Sequence, residues 1–153
     1  ENKIKIEEIQ KIRIENTLAR FQKNILKELK SKTQNLDDFI ADEKYSKIAS
    51  LIADGELKAA SDEYLLYVFD SNGLSNKFNE NLIEVEMLVE KIFGKKYRVI
   101  STNNISWEII KKEFNSKERD YLYVVEDFDL NDLNQKNSQS ELVDCFENII
   151  EYE

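Results

Sequence analysis

The chain has 153 residues, of which 41% are hydrophobic, and a net charge of -9. That is the length of one ordinary domain, with enough apolar content to build a core without staples. With Cys145 as the only cysteine and no histidine, an intramolecular disulfide, the usual zinc constellations, Ser-His-Asp triads and Cys-His pairs are excluded.

The charge is unevenly placed. Residues 1–36 hold nine Lys/Arg against five Asp/Glu, whereas residues 118–153 hold two against eleven. An acidic chain repels a phosphate backbone, so nucleic-acid binding is disfavoured unless the basic N-terminal segment acts alone, and a protein partner is the better expectation. No stretch of about eighteen apolar residues is present and the N-terminus alternates charges, which reads as a cytoplasmic chain without a membrane span. Opening on Glu1 and not on Met, the sequence is expected to be a fragment.

In chain order, residues 6–30 lack Gly and Pro and place Ile14, Leu18, Phe21, Ile25 and Leu29 in an apolar stripe, the pattern of a long helix lying on its own domain or on a second chain. Lys32 to Asn35 interrupt it. A shorter helix is expected over about 43–53, with Tyr45, Ile48, Ala49 and Ile52 inward and Asp54-Gly55 as its stop. Residues 57–60 pair with a buried strand over 64–69, whose YLLYVF run is dense in branched and aromatic side chains, through a turn at Ser61-Asp62. After Gly73, the residues Leu74, Phe78, Leu82, Val85, Leu88, Val89 and Ile92 recur at helical steps, and Gly94 stands where a left-handed cap is wanted. A strand over 97–100 and a helix over 105–114 follow, the latter with Trp107, Ile110 and Phe114 on one face. Trp107 is read as a core anchor, with a partner-facing hot spot as the alternative.

Beyond Phe114, residues 121–125 read as a strand or an anchored loop, and residues 128–140 as polar and mobile. A last helix fits residues 140–147, with Leu142, Val143 and Phe146 apolar and Ile149, Ile150 and Tyr152 in an extended ending. The expected architecture is α+β: a small three-stranded sheet with packed helices, divided into an N-terminal helical segment, 1–36, and a domain over 37–153.

No chemistry assembles from the sequence. Gly55, Gly73 and Gly94 are scattered, which removes a P-loop and a dinucleotide fingerprint. The acidic pairs Asp37-Asp38 and Asp127/Asp129 read as solvated surface, and Cys145 as a small core residue with no histidine to activate it.

The run IASLIADGELKAASDEYLLYVFDSN, followed by a helix and LVEKIFGKKYRVISTNNISWEIIKKEF, resembles the C-terminal region of the tau (gamma/tau) subunit of bacterial DNA polymerase III, in its low-GC Gram-positive and mycoplasma-like versions. The closing ELVDCFENIIEYE is similar to that family's ending, so the resemblance covers about residues 40–153. It implies a non-catalytic, KH-like module without cofactor or metal. Such a module tethers the polymerase alpha (catalytic) subunit in DNA replication, while other clamp-loader subunits and the ATPase belong to domains absent here. The resemblance and the apolar residues at the end of the chain together make Leu142, Phe146, Ile149 and Ile150 the expected partner-binding residues. One departure is that KH domains clamp nucleic acid with a GxxG loop, and no two glycines here stand three apart. A nucleic-acid adaptor using the basic N-terminal helix is the alternative.

Overall fold

A computed structural model describes residues 4–133. Within these, the chain forms two compact units: Ile9–Glu126, and residues 4–8 with 127–133. In the smaller one, Ile4 makes a parallel bridge to Leu133 and its N–H donates to the Asp132 carbonyl (3.0 Å), beside a 3-10 turn at Leu130–Asp132 that the Asp129 side chain caps.

Ile9–Glu126 has an α+β fold. The elements are α1 (Ile6–Ala19), α2 (Lys23–Lys30), α3 (Leu36–Ala41), α4 (Ser46–Ala53), β1 (Glu56–Ala60), β2 (Tyr64–Phe69), α5 (Asn72–Glu80), α6 (Leu82–Phe93), β3 (Arg98–Asn103) and α7 (Asn104–Ser116). The sheet runs β1-β2-β3, antiparallel between the first pair and parallel between the second. The expected strands are all present, within a residue or three of where the pattern put them.

All six residues of β2 are buried, because both faces of this central strand are covered. Tyr67 and Phe69 point to one face, where each ring lies 5.4 Å from that of Phe78 on α5. Tyr64 points to the other, where it meets Asn16 of α1 and the ring of Tyr123. The β1–β2 turn closes on Ser61, whose N–H donates to the Tyr64 carbonyl and whose Oγ accepts from the N–H groups of Glu63 and Tyr64. Gly94 adopts φ 77° and ends α6 as expected of a left-handed cap. Gly55 is required for space, since a Cβ there would sit 2.7 Å from the Phe69 ring.

Three local expectations are revised. The N-terminal helix is present as α1 but pauses at residues 20–22 before resuming as α2. There Gln22 is extended (φ -129°) and its N–H donates to the Ala60 carbonyl at the edge of β1 (2.8 Å), so a sheet contact outweighs continuous helix propensity. The helix read over 74–93 is two helices, because Asn81 (φ -121°, ψ 32°) leaves helical geometry and turns its side-chain amide back to the Lys77 carbonyl. The buried face of α1 is not its apolar stripe. Ile9 and Leu18 are buried, but so are Arg13, Asn16 and Thr17, while Ile14 and Phe21 are half-buried. The short helix α3 follows a 3-10 turn at Thr33–Asn35, where the sequence pattern marks only a break.

The segment 118–126 is the anchored loop of the two forms expected. Leu122 N–H donates to the Glu15 carboxylate, and the Asn16 side chain both accepts from Val124 N–H (2.7 Å) and donates to Val124 C=O (2.7 Å). Arg119 pairs with Glu15, and the Arg20 guanidinium lies 3.8 Å from the centre of the Tyr123 ring. This strap therefore takes strand-like hydrogen bonds from side chains of a helix and not from another strand.

Trp107 is 8% exposed and is the one buried residue of α7, a helix that packs on β2 and β3. The core reading holds. Trp107→Ala should cost about 3–5 kcal/mol, measured by chemical denaturation. Loss of less than about 1 kcal/mol would show that the indole contributes little to the core.

Candidate functional site

The expected partner-binding residues Leu142, Phe146, Ile149 and Ile150, the helix over 140–147 and Cys145 all lie outside the described residues. Of the acidic pairs, Asp37 and Asp38 occupy the exposed first turn of α3, and Asp129 caps a 3-10 turn. Among the described residues, no three Asp, Glu, His or Cys side chains converge to hold a metal ion.

The densest polar constellation is one that periodicity gave no reason to expect. Arg13, 2% exposed, projects from α1 and grips Glu126 of the strap through Nε (2.8 Å) and Nη2 (3.1 Å). Its Nη1 donates to Glu86 of α6 (2.6 Å) and to the Val99 carbonyl of β3 (2.9 Å). Tyr64 donates its hydroxyl to Glu126 (2.8 Å) and accepts from Asn16 (3.0 Å), while Arg98 stands 3.6 Å from Glu126 and 3.2 Å from Glu63. Burial is the largest influence on Glu86 and holds its carboxyl above the ordinary range against the opposing pull of Arg13; burial likewise pushes the Tyr64 phenol up.

Chemically, this cluster is committed. Both oxygens of Glu126 accept from Arg13, and the Glu86 oxygen that pairs with Arg13 also accepts from Val99 N–H (3.1 Å). Glu126 and Arg13 are only 3% exposed in their side chains, so the pair ties strap, helix and sheet together without facing a substrate. A sequence signal did exist, in that Arg13 and Asn16 share one helical face with Ile9. The apolar stripe of the same helix points to a different face.

A second feature concerns what stays outside. Among the described residues, the large apolar side chains left exposed are Ile83 and Met87 on α6, Ile105 and Ile109 on α7, and Leu122, Val124 and Val125 on the strap. The first four form two pairs, each spaced one helical turn, so each helix buries one apolar face and shows water a second, narrower one. Ile105 is 75% exposed and Met87 62%. Isolated exposed apolar residues are ordinary, and it is contiguous exposed apolar surface that marks a contact site.

Comparison of the chain with protein-family models, with curated proteins and with solved structures returned no match.

The buried cluster generates a prediction. Arg13→Met leaves Glu86 and Glu126 without their shared cation and should cost about 3–5 kcal/mol at neutral pH. Without Arg13, the Glu86 carboxyl rises further, and a carboxylate whose folded pKa is raised loses stability as pH climbs from its ordinary value to the raised one. The deficit of the variant should therefore shrink toward the wild type as pH falls through that window, read from urea melts at several pH values. A deficit independent of pH would assign the loss to packing.

Proposed function

We propose that this chain is a non-catalytic protein-interaction module of the tau-subunit kind, cytoplasmic and KH-like, which tethers the alpha subunit of bacterial DNA polymerase III during replication. The observation that carries the interaction reading is the pair of exposed apolar helix stripes, Ile83/Met87 and Ile105/Ile109, on an otherwise strongly charged chain. The identity of the partner rests on the sequence resemblance. Eleven acidic residues among 118–153 would steer a basic partner surface toward the module.

The adaptor reading is weaker on structural grounds. Two of the cations that make the N-terminal segment basic are engaged within the fold, Arg13 in the buried cluster and Arg20 against Tyr123. Of the remaining lysines, Lys30 and Lys32 stand beside Glu56 and Glu28. A phosphate-binding stripe would have to be built from what is left.

The test is co-elution of the chain with purified polymerase alpha subunit on a sizing column, with affinity then measured by titration. Complex formation is expected, and Met87→Glu or Ile109→Glu should each weaken it tenfold or more while leaving thermal melting unchanged. Separate elution of the two proteins would refute the tether. Tight binding to duplex DNA that collapses with added salt would instead favour the adaptor. If both helix variants bind normally while Phe146→Glu does not, the contact lies in the C-terminal residues.

A further inference from the structure

A cleft of about 450 Å³ opens between α2, α3, α4, β1 and α6. Leu36, Ile52, Leu57, Ile92 and Phe93 give it apolar walls, and the facing Lys30 and Glu56, 3.9 Å apart, stand at its polar side. The volume falls within the range of small-molecule sites, which combine mostly apolar walls with a few placed polar groups.

Tyr67 also lines this cleft. It is only 5% exposed, and its ring is fixed against Phe78 in the core. No hydrogen bond joins its hydroxyl to any described residue, although the other fully sheet-buried tyrosine, Tyr64, has three partners for its own. Among the described residues, the buried side-chain oxygen without a partner is that of Tyr121 and not this one, so the Tyr67 hydroxyl keeps access to water and is free to bond an occupant of the cleft. An occupant that displaced that water without accepting its hydrogen bond would leave the hydroxyl unsatisfied. Burial also pushes this phenol up, so it remains a proton donor at neutral pH.

We propose that the cleft is a binding site for a small ligand with an apolar aryl or branched alkyl body and one carbonyl acceptor, which takes the hydrogen bond from Tyr67. The apolar body lies against the walls made by Ile52, Leu57 and Phe93. The carbonyl takes the hydrogen bond that the Tyr67 hydroxyl otherwise gives to water. Nothing in this site depends on the tethering role.

The experiment is a two-dimensional amide NMR titration of the whole chain with two probes of matched shape, acetophenone and ethylbenzene. Acetophenone should shift the amides of Gly55, Leu57 and Phe93 saturably and bind about fivefold more tightly than ethylbenzene, the range of one net hydrogen bond. In Tyr67→Phe that preference should vanish, with the thermal midpoint close to that of the wild type because the hydroxyl makes no hydrogen bond to the described residues. The proposal is overturned if neither probe shifts these residues, if the wild type binds both equally, or if the preference survives in Tyr67→Phe. A midpoint several degrees lower in Tyr67→Phe would show that the hydroxyl is already bonded inside the protein, which overturns it as well.

Discussion

The outer edge of β3 is the constraint on which the remaining architecture depends. In this strand Arg98 N–H turns toward β2, where the Glu63 carbonyl accepts it, so alternation aims the N–H and C=O groups of Val99 and Ser101 away from the sheet. A fourth strand would satisfy them. Here four side chains do so instead: Glu86 accepts from Val99 N–H, Arg13 donates to Val99 C=O, Asn79 accepts from Ser101 N–H, and Gln10 and Asn79 both donate to Ser101 C=O. Each comes from a helix. The positions of α1, α5 and α6 against the sheet are thus fixed by hydrogen bonds to backbone as well as by apolar packing, and the Ser75 and Ser101 hydroxyls, 2.8 Å apart, extend the same seam.

This edge explains which parts of the fold were legible in the sequence. The strands could be read because YLLYVF is buried on both faces, and a doubly covered strand is a continuous apolar run. The apolar stripe of α6 was legible because Leu82, Val85, Leu88, Val89 and Ile92 pack in the ordinary way, and all five are buried. The inward face of α1 was not legible. Its task is to bring Arg13, Gln10 and Asn16 to backbone groups of β3 and the strap, and the need for those partners arises only once segments 86 to 108 positions away along the chain have been brought together. The pause at Gln22 and the kink at Asn81 escaped for a related reason, since both are settled by a carbonyl elsewhere in the fold or a turn away.

The candidate surface was legible by subtraction. Once Trp107, Ile110 and Phe114 are given to the core, Ile105 and Ile109 are the apolar residues of α7 with no assigned place, and Ile83 and Met87 stand in the same position on α6. Tyr67 could not have been singled out in this way: nothing in the letters YLLYVF distinguishes the tyrosine that finds hydrogen-bond partners from the one that does not.

The same capped edge bears on aggregation. The hexapeptide Tyr64–Phe69 has strong β-propensity, no charge, no Pro and no Gly, which is the composition of a segment that stacks into cross-β fibrils. It is safe as the middle strand because its neighbours are themselves closed to further pairing. Side chains seal β3, while β1 carries a register irregularity between Leu57 and Ala59, the charged Lys58 at that point, and Gln22 on its last carbonyl. Damage to those seals uncovers a sheet with a fibril-forming strand one layer in, so the polar residues around β3 guard against aggregation as much as they hold the fold.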